Sequence, residues 1–352
     1  MYRNTFVEVN LKNLKYNIES LINKYNGYEY FFGVVKADCY GHNDISTVKA
    51  IIEAGCNYLA VATLDEALAI RKEIKDVPIL CLSIVDIKYL PLCLKNEITI
   101  TVSNLDYIKN ITTENPNLKV HIKVNTGMNR LGVSNKNEFN TICKLIKEKH
   151  FVLEGIYTHI YNPINKIDTF NQFEEFERIT GDINLKEIPI VHVGASETTE
   201  FYSKRSYANG CRLGISMYGL IDCDNVNFKS TFSLYSEIVQ INEVEHGVVG
   251  YSGSYKVNGK EKIAVIPIGY ADGIIRKNTG RNIYINNKPY EIVGNICMDM
   301  LFVKVDDSVK VGDKVTIIKD IDHIKEIAKH LDTITYEVIC SISKRVPRIY
   351  IK

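Results

Sequence analysis

The stretch FFGVVKADCYGHN, Phe31 to Asn43, holds the residue of this chain best placed to do chemistry. A short apolar run, Phe31 to Val35, stops at Lys36 and passes into a turn of small residues. A lysine at the end of a buried strand is stripped of water, so its amine loses basicity and can attack a carbonyl. Further along, polar residues again fall beside the ends of apolar runs: Arg130, His159, Ser196, Arg212 and Gly214. Singly, each has a blander explanation. A strand-end lysine is more often a solvated charge, a lone histidine more often a structural hydrogen-bonder, and Ser196 could simply cap a helix. Their recurrence at one place in successive runs is what carries weight.

The elements that would position them read as a barrel. Leu14, Ile18, Leu21 and Ile22 share one face of a helix over 10–25, and a strand from Tyr30 to Val35 then delivers Lys36. A helix around 45–54 precedes the run YLAVAT at 58–63. Further apolar runs follow at 78–83, 98–102, 119–125, 153–159, 189–193 and 214–218, separated by helix-like stretches such as LDEALAIRKEI and TFNQFEEFERI. These make eight strand candidates in the first ~220 residues, the number for a (β/α)8 TIM-type barrel, whose chemistry sits at the C-terminal strand ends. An open doubly wound sheet would more often have fewer strands and a Gly-rich first turn, and no G-x-G-x-x-G occurs. Lys36 then follows the first strand, Arg130 the fifth and Ser196 the seventh. His159 ends the sixth, and Arg212 and Gly214 enter the eighth.

Past Leu220 alternating runs such as STFSLYSEIVQINEVE, EKIAVIPIGYA and RNIYINNKPYEIV replace this rhythm. The chain therefore divides into a barrel domain, 1–221, and a mainly antiparallel β domain, 222–352, which the first residues are free to join. Asn286-Asn287 is expected to turn a hairpin, with Lys288-Pro289 extending the loop, and short helices are expected near 323–331 and 334–342. No Gly/Ser-rich linker separates the halves, so they should pack together.

Bulk properties exclude several functions. Apolar content of 45%, charged content of 24% and a net charge of +1 suit a soluble globular protein and give no reason to expect nucleic acid. No run approaches the ~18 apolar residues of a membrane span, and MYRNTFVEVN lacks a signal peptide's apolar core, so a cytoplasmic protein is expected. Nine scattered cysteines without a C-x-x-C pair suggest reduced thiols, no disulfide framework and no metal site, with Cys297 a wall residue rather than a nucleophile.

Nine ordered blocks then carry a resemblance: VVKADCYGH (34–42), NTGMNRLG (125–132), EGIYTHI (154–160), HVGAS (192–196), CRLGISMYGL (211–220), VGYSGSY (249–255), PIGYADG (267–273), GNICMD (294–299) and ISKRVPR (342–348). The chain resembles the alanine racemase family, fold-type III enzymes that use pyridoxal 5'-phosphate. The resemblance implies racemisation of a small amino acid, alanine before serine, by a homodimer whose subunits share each active site. It implies that Lys36 carries the cofactor as a Schiff base and is one of two acid–base groups, with Tyr251 of the partner subunit the other. Inverting a stereocentre requires proton removal on one face and delivery on the opposite face. The resemblance further puts Arg212 at the pyridine nitrogen, and Tyr40, Ser196, Gly214 and Ile215 at the phosphate. Arg130 would contact the phenolic oxygen and the substrate carboxylate, and Met298 of the partner subunit would also face that carboxylate. His159, His192 and Tyr270 would support Arg212 and Tyr251, and Lys123 matches a lysine carbamylated in many members.

Three positions depart from the family's pattern. Lys344 replaces a tyrosine and is therefore the expected specificity residue, Ala195 replaces an asparagine, and Asn125 replaces an aspartate. A decarboxylase on the same fold would have a glutamate where Arg212 stands, and a non-catalytic cofactor carrier would have the barrel alone.

Overall fold

Runs such as Tyr58–Val61 and Ile98–Val102 are buried along their whole length, which is the environment of strands covered on both faces. The computed structural model describes residues 2–43, 45–112 and 115–352. Its first sheet runs through Tyr30–Val34, Tyr58–Val61, Ile79–Cys81, Ile98–Val102, Lys119–Lys123, Val152–Tyr157 and Ile190–His192, each parallel to the next. Gly210–Leu213 pairs with Tyr30–Gly33 on one side and with Gly194–Ala195 on the other. The ring thus closes through Val193, where the seventh strand is interrupted: nine strand segments occupy eight positions. Helices alternate with the strands, and several begin on Asn or Thr side chains that accept a first-turn N–H: Asn10, Thr63, Asn104, Asn135 and Asn165.

Two expectations need correction. The eighth strand is Gly210–Leu213, not 214–218; Gly214 takes ψ −111° and the apolar GISMY continues as a 3-10 turn, Ile215–Tyr218. Arg212 therefore lies within a strand, inside the barrel, rather than at its entrance. The hairpin at Asn286-Asn287 has a two-residue turn with φ of 50° and 65°, and Lys288 and Pro289 pair with Ile285 and Tyr284 instead of lengthening the loop.

The second sheet places side by side Gln240–Val244, Glu261–Ile266, Leu301–Val305, Lys288–Val293, Asn282–Ile285, Lys314–Ile318, Phe232–Glu237, Phe6–Asn10 and Arg348–Ile351. All neighbours are antiparallel except the last two, so the beginning and end of the chain run together at one edge. Helices Ile321–Leu331 and Thr335–Cys340 connect this sheet back to the barrel, and the carbonyl of Ile339 lies 2.3 Å from where a Cβ on Gly41 would stand.

Arg348 fastens that junction. Its guanidinium donates to the carbonyls of Gly41 (3.0 Å), Ser343 (2.7 Å), Val346 (2.6 Å) and Ile342 (2.7 Å). Charged hydrogen bonds of this kind contribute about 1.5–3 kcal/mol each before the cost of ordering. Arg348→Met leaves the carbonyls of a half-buried turn without their donor, so it should lower unfolding free energy by about 3 kcal/mol, read from urea midpoints. A loss under about 0.5 kcal/mol would show that the junction does not depend on this arginine.

Candidate active site

Lys36 follows the first barrel strand and opens a turn of unusual hand. Ala37, Asp38 and Cys39 adopt φ/ψ near +50°/+50°, Tyr40 has φ 54°, and Gly41 closes the turn at φ 79°. A left-handed turn of L-residues costs about 1–2 kcal/mol per residue, so its surroundings must hold it. Glu66 accepts from the Ala37 N–H (2.7 Å), Lys344 pairs with Asp38 (3.0 Å), and Arg348 and Tyr350 donate to the carbonyls of Gly41 and His42. The sequence suggests only a small-residue turn here, because no local signal predicts four consecutive non-glycine residues with positive φ.

The turn borders a cavity of about 500 Å³ at the C-terminal mouth of the barrel. Lys36, Tyr40, Lys123, Arg130, His159, Ser196, Arg212, Gly214 and Ile215 all line it, and so does Ala195. Four of these are Lys or Arg, and among the described residues Glu197 is the single acidic one in the lining. Such a site favours anions.

Arg212 is buried at the cavity's base. One terminal nitrogen donates to the carbonyl (2.5 Å) and Nδ1 (2.8 Å) of His192, and the other donates to the carbonyl of Thr158 (2.7 Å) and lies 3.5 Å from Nδ1 of His159. Burial lowers its pKa to about 10, which leaves it cationic at neutral pH. Burial and the adjacent Arg212 bring His159 down to about 3, so its imidazole is neutral. Lys36 is lowered by desolvation and then by Arg130. Lys123 falls to about 7, through desolvation and then the fields of Arg212, Arg130 and Lys36.

At the opposite wall, the Ser196 hydroxyl accepts from the N–H groups of Gly214 (3.2 Å) and Ser216 (3.3 Å) and lies 3.0 Å from the Ser216 hydroxyl. A Cβ on Gly214 would stand 3.0 Å from the Tyr40 phenol oxygen, so glycine keeps phenol and backbone together. Asn125 orders the loop before Arg130: its oxygen accepts from Gly127 and Asn129 N–H, and its amide donates to Asn129 and Ser134. An aspartate could reproduce the acceptor contacts but not the donated ones.

Five expected residues are not among those lining this cavity. Lys344 points to Asp38 with its side chain 74% exposed. Tyr251, Tyr270 and Met298 lie on the β domain, where they are 71%, 42% and 52% exposed. Hydrogen bonds to backbone carbonyls tie these three into one patch. Asn295 donates to the Tyr251 carbonyl (2.8 Å), while Tyr270 and Ala271 N–H groups donate to the carbonyls of Cys297 and Met298 (3.0 Å each). His192 stands behind Arg212 rather than in the wall.

Tyr157, Glu197 and Tyr336 line the cavity without having been singled out from sequence. Tyr157 lies inside the EGIYTHI block and could have been found there. Tyr336, 6.1 Å from the Tyr40 ring, comes from the helix Thr335–Cys340 beyond the second sheet, with no motif to mark it.

A barrel with a lysine beyond its first strand, arginines converging at its mouth and a β domain joined at that rim has the form of the barrel enzymes whose chemistry sits at the C-terminal strand ends. Residues 9–222 match the family model for the N-terminal domain of alanine racemase and residues 231–350 the model for its C-terminal domain, so the chain belongs to the alanine racemase family. It is 37% identical to alanine racemase of Anoxybacillus flavithermus over 100% of this chain and 96% of that protein. With alanine racemase 1 of Bacillus subtilis the identity is 34%, covering 100% and 94%. Among solved structures, alanine racemase from E. faecalis superposes with TM-score 0.94 at 32% identity, covering 99% of each chain. The Bacillus anthracis alanine racemase with bound L-Ala-P gives 0.92 at 30% identity, covering 100% of this chain and 96% of that one. No helix among the described residues is long and apolar enough to cross a membrane.

The cation cluster makes a measurable statement about Lys123. With lysines reductively 13C-methylated, one amine should titrate with a midpoint near 7 and vanish from the spectrum of Lys123→Met. Arg130→Met removes a positive neighbour and should move that midpoint upward; an unchanged midpoint would remove Arg130 from its causes.

Proposed function

We propose that this protein interconverts L- and D-alanine as a homodimer that uses pyridoxal 5'-phosphate. The observation that carries the proposal is the half-buried Lys36, its basicity depressed, in a pocket of cations within a chain that matches alanine racemases from end to end.

The donor set fits the cofactor. Lys36 offers an amine for its aldehyde. The Tyr40 and Ser196 hydroxyls, with the backbone of Gly214 and Ile215, offer a polar corner for a phosphate. Arg212 offers a guanidinium N–H at the cavity's base, and Arg130 at the mouth offers a fork for the phenolic oxygen and the substrate carboxylate. Bound there, the cofactor supplies an electron sink for the charge left on Cα when its proton is removed.

The protein's own side chains do the rest. Lys36, neutral at lower pH than an ordinary lysine, can accept a proton from Cα on its face of the substrate. The partner subunit's Tyr251 holds or delivers the proton on the other face, and the two groups exchange roles for the reverse direction. In a single chain Tyr251 is exposed on the patch with Tyr270 and Met298, as a residue that completes a neighbour's site would be. Arg212 keeps its proton at neutral pH, so it would donate a hydrogen bond to a ring nitrogen of the bound cofactor without protonating it, which would restrain charge delocalisation and side reactions such as transamination. Lys123, with a pKa of about 7, has the neutral amine that can add carbon dioxide to give a carbamate and a proton. That anion would balance Arg130 and Arg212. A cytoplasmic location is part of this reading, in keeping with the chain's ordinary charge balance.

Wild type should show the near-ultraviolet to visible absorbance of a bound imine, and Lys36→Ala should lack it. Tyr251→Phe should keep the absorbance and lose about 10²–10⁴-fold in kcat. Mixed after dissociation, these two inactive variants should regain racemisation, because a mixed dimer holds one site with both residues intact. Wild type that stays colourless with cofactor, or a mixture that stays inactive, would sink the reading. Lys344→Tyr exchanges the Asp38 ion pair for a rigid phenol beside the lysine-bearing turn. It should raise the alanine-to-serine ratio of kcat/KM about tenfold; an unchanged ratio would make position 344 neutral.

A further inference from the structure

The hydrogen bonds that hold Arg212 do not end at His192. Nε2 of His192 lies 2.9 Å from Nδ1 of His121, and Nε2 of His121 lies 3.2 Å from Oε2 of Glu154. Glu154 stands near the start of its strand, Val152–Tyr157, towards the barrel's far end. Its Oε2 also accepts from the hydroxyls of Tyr58 (2.6 Å) and Thr99 (3.1 Å), while Oε1 pairs with Lys119 at 2.8 Å. A row of three contacts therefore joins the cavity base to a carboxylate outside the cavity.

The position of each proton follows by elimination. A guanidinium only donates, so Nδ1 of His192 accepts from Arg212 and a neutral His192 carries its proton on Nε2. That N–H donates to Nδ1 of His121, whose own proton must then sit on Nε2 and face the carboxylate. Reversing either imidazole would set an N–H against an N–H. The order is set from the Arg212 end, and the Glu154 carboxylate supplies the acceptor without which the last N–H, on His121, would be left unmatched in the core.

We propose that Glu154 is a positioning residue for Arg212, accepting the last N–H of the row and so stabilising the tautomers of His121 and His192 that hold the guanidinium as a donor directed at the cavity.

Packing leaves the rings little choice. His192 lies between Phe32 (4.5 Å, 19°) and Tyr157 (4.7 Å, 10°), nearly parallel to both. Room for His121 exists because residue 155 is glycine; a Cβ there would fall 2.5 Å from its Cε1. Burial lowers the pKa of both histidines, in keeping with one proton per ring. The row is not a proton conduit, since Arg212 does not give up its proton at neutral pH. It acts by orientation, and the stakes are high because an unmatched polar group in such a core costs more than a matched one contributes.

What Arg212 faces rests on the cofactor reading above; the tautomers are a property of the bare chain, and this separates the two tests. Protein labelled with 15N-histidine, studied without cofactor by long-range 1H–15N NMR and assigned through His121→Gln, should show His192 and His121 protonated on Nε2 alone. In Glu154→Leu, and in the near-isosteric Glu154→Gln should the leucine variant not fold, at least one ring should lose that single state. With cofactor added, the folded variant should show an altered absorbance and a kcat lower by about tenfold at nearly unchanged KM. A wild-type His192 protonated on Nδ1, or a Glu154→Gln protein with wild-type tautomers, absorbance and kcat, would overturn the proposal. Wild type with the expected tautomers and no uptake of pyridoxal phosphate would instead overturn the functional reading and leave the tautomer relay standing.

Discussion

A guanidinium enclosed in the barrel and bonded to carbonyl oxygens and an imidazole nitrogen is the constraint on which the site depends. Because these acceptors are neutral, Arg212 keeps its charge undiminished at the base of the cavity. Its field contributes to the lowered basicity of Lys36, Lys123 and His159, which share a confined space with it. A carboxylate partner would have neutralised that field and left the neighbouring amines closer to their ordinary protonation. A buried charge without a counter-ion is expensive to hold, and a pocket that has assembled several is stabilised by whatever anion enters it. Binding and reactivity thus share one electrostatic origin.

The second constraint is conformational. Four successive L-residues after Lys36 adopt the left-handed region, and what holds them comes from far away in the chain: Glu66 from the second barrel helix–strand unit, Lys344, Arg348 and Tyr350 from the last strand and the segment before it. The β domain is therefore more than a cover. It grips the turn that aims the reactive lysine, and it adds Tyr336 to the wall. The edge at which Phe6–Asn10 and Arg348–Ile351 run parallel brings the chain's beginning and end to that grip.

The departures from the family's pattern fall into this frame. Asn125 uses both halves of its amide to order the loop that carries Arg130, so the charge lost relative to an aspartate is matched by donated bonds. Lys344 turns to Asp38 and joins the restraint on the strained turn from outside the cavity. Ala195 lies where the seventh strand resumes, pairs with Arg212 and lines the cavity.

Much was legible in the sequence because it follows from local rules. Strands buried on both faces read as apolar runs, so the barrel and the positions of Lys36, His159 and Ser196 at its rim could be inferred from period and order alone. The eighth strand could not: Gly210–Leu213 contains an arginine and GISMY does not, so hydrophobicity pointed to the wrong stretch, and only closure of the ring against Tyr30–Gly33 decided the register. Motif blocks brought out Tyr251, Tyr270 and Met298, yet their grouping on one exposed patch arose from hydrogen bonds between distant loops. The left-handed turn, the Tyr336 wall and the row from Arg212 to Glu154 left no local trace. The amino-acid sequence by itself determined which groups could react and which strands would carry them. Tertiary structure alone decided their protonation and aim, because desolvation, the fields of neighbouring charges and hydrogen-bond direction depend on what residues remote in the chain bring together.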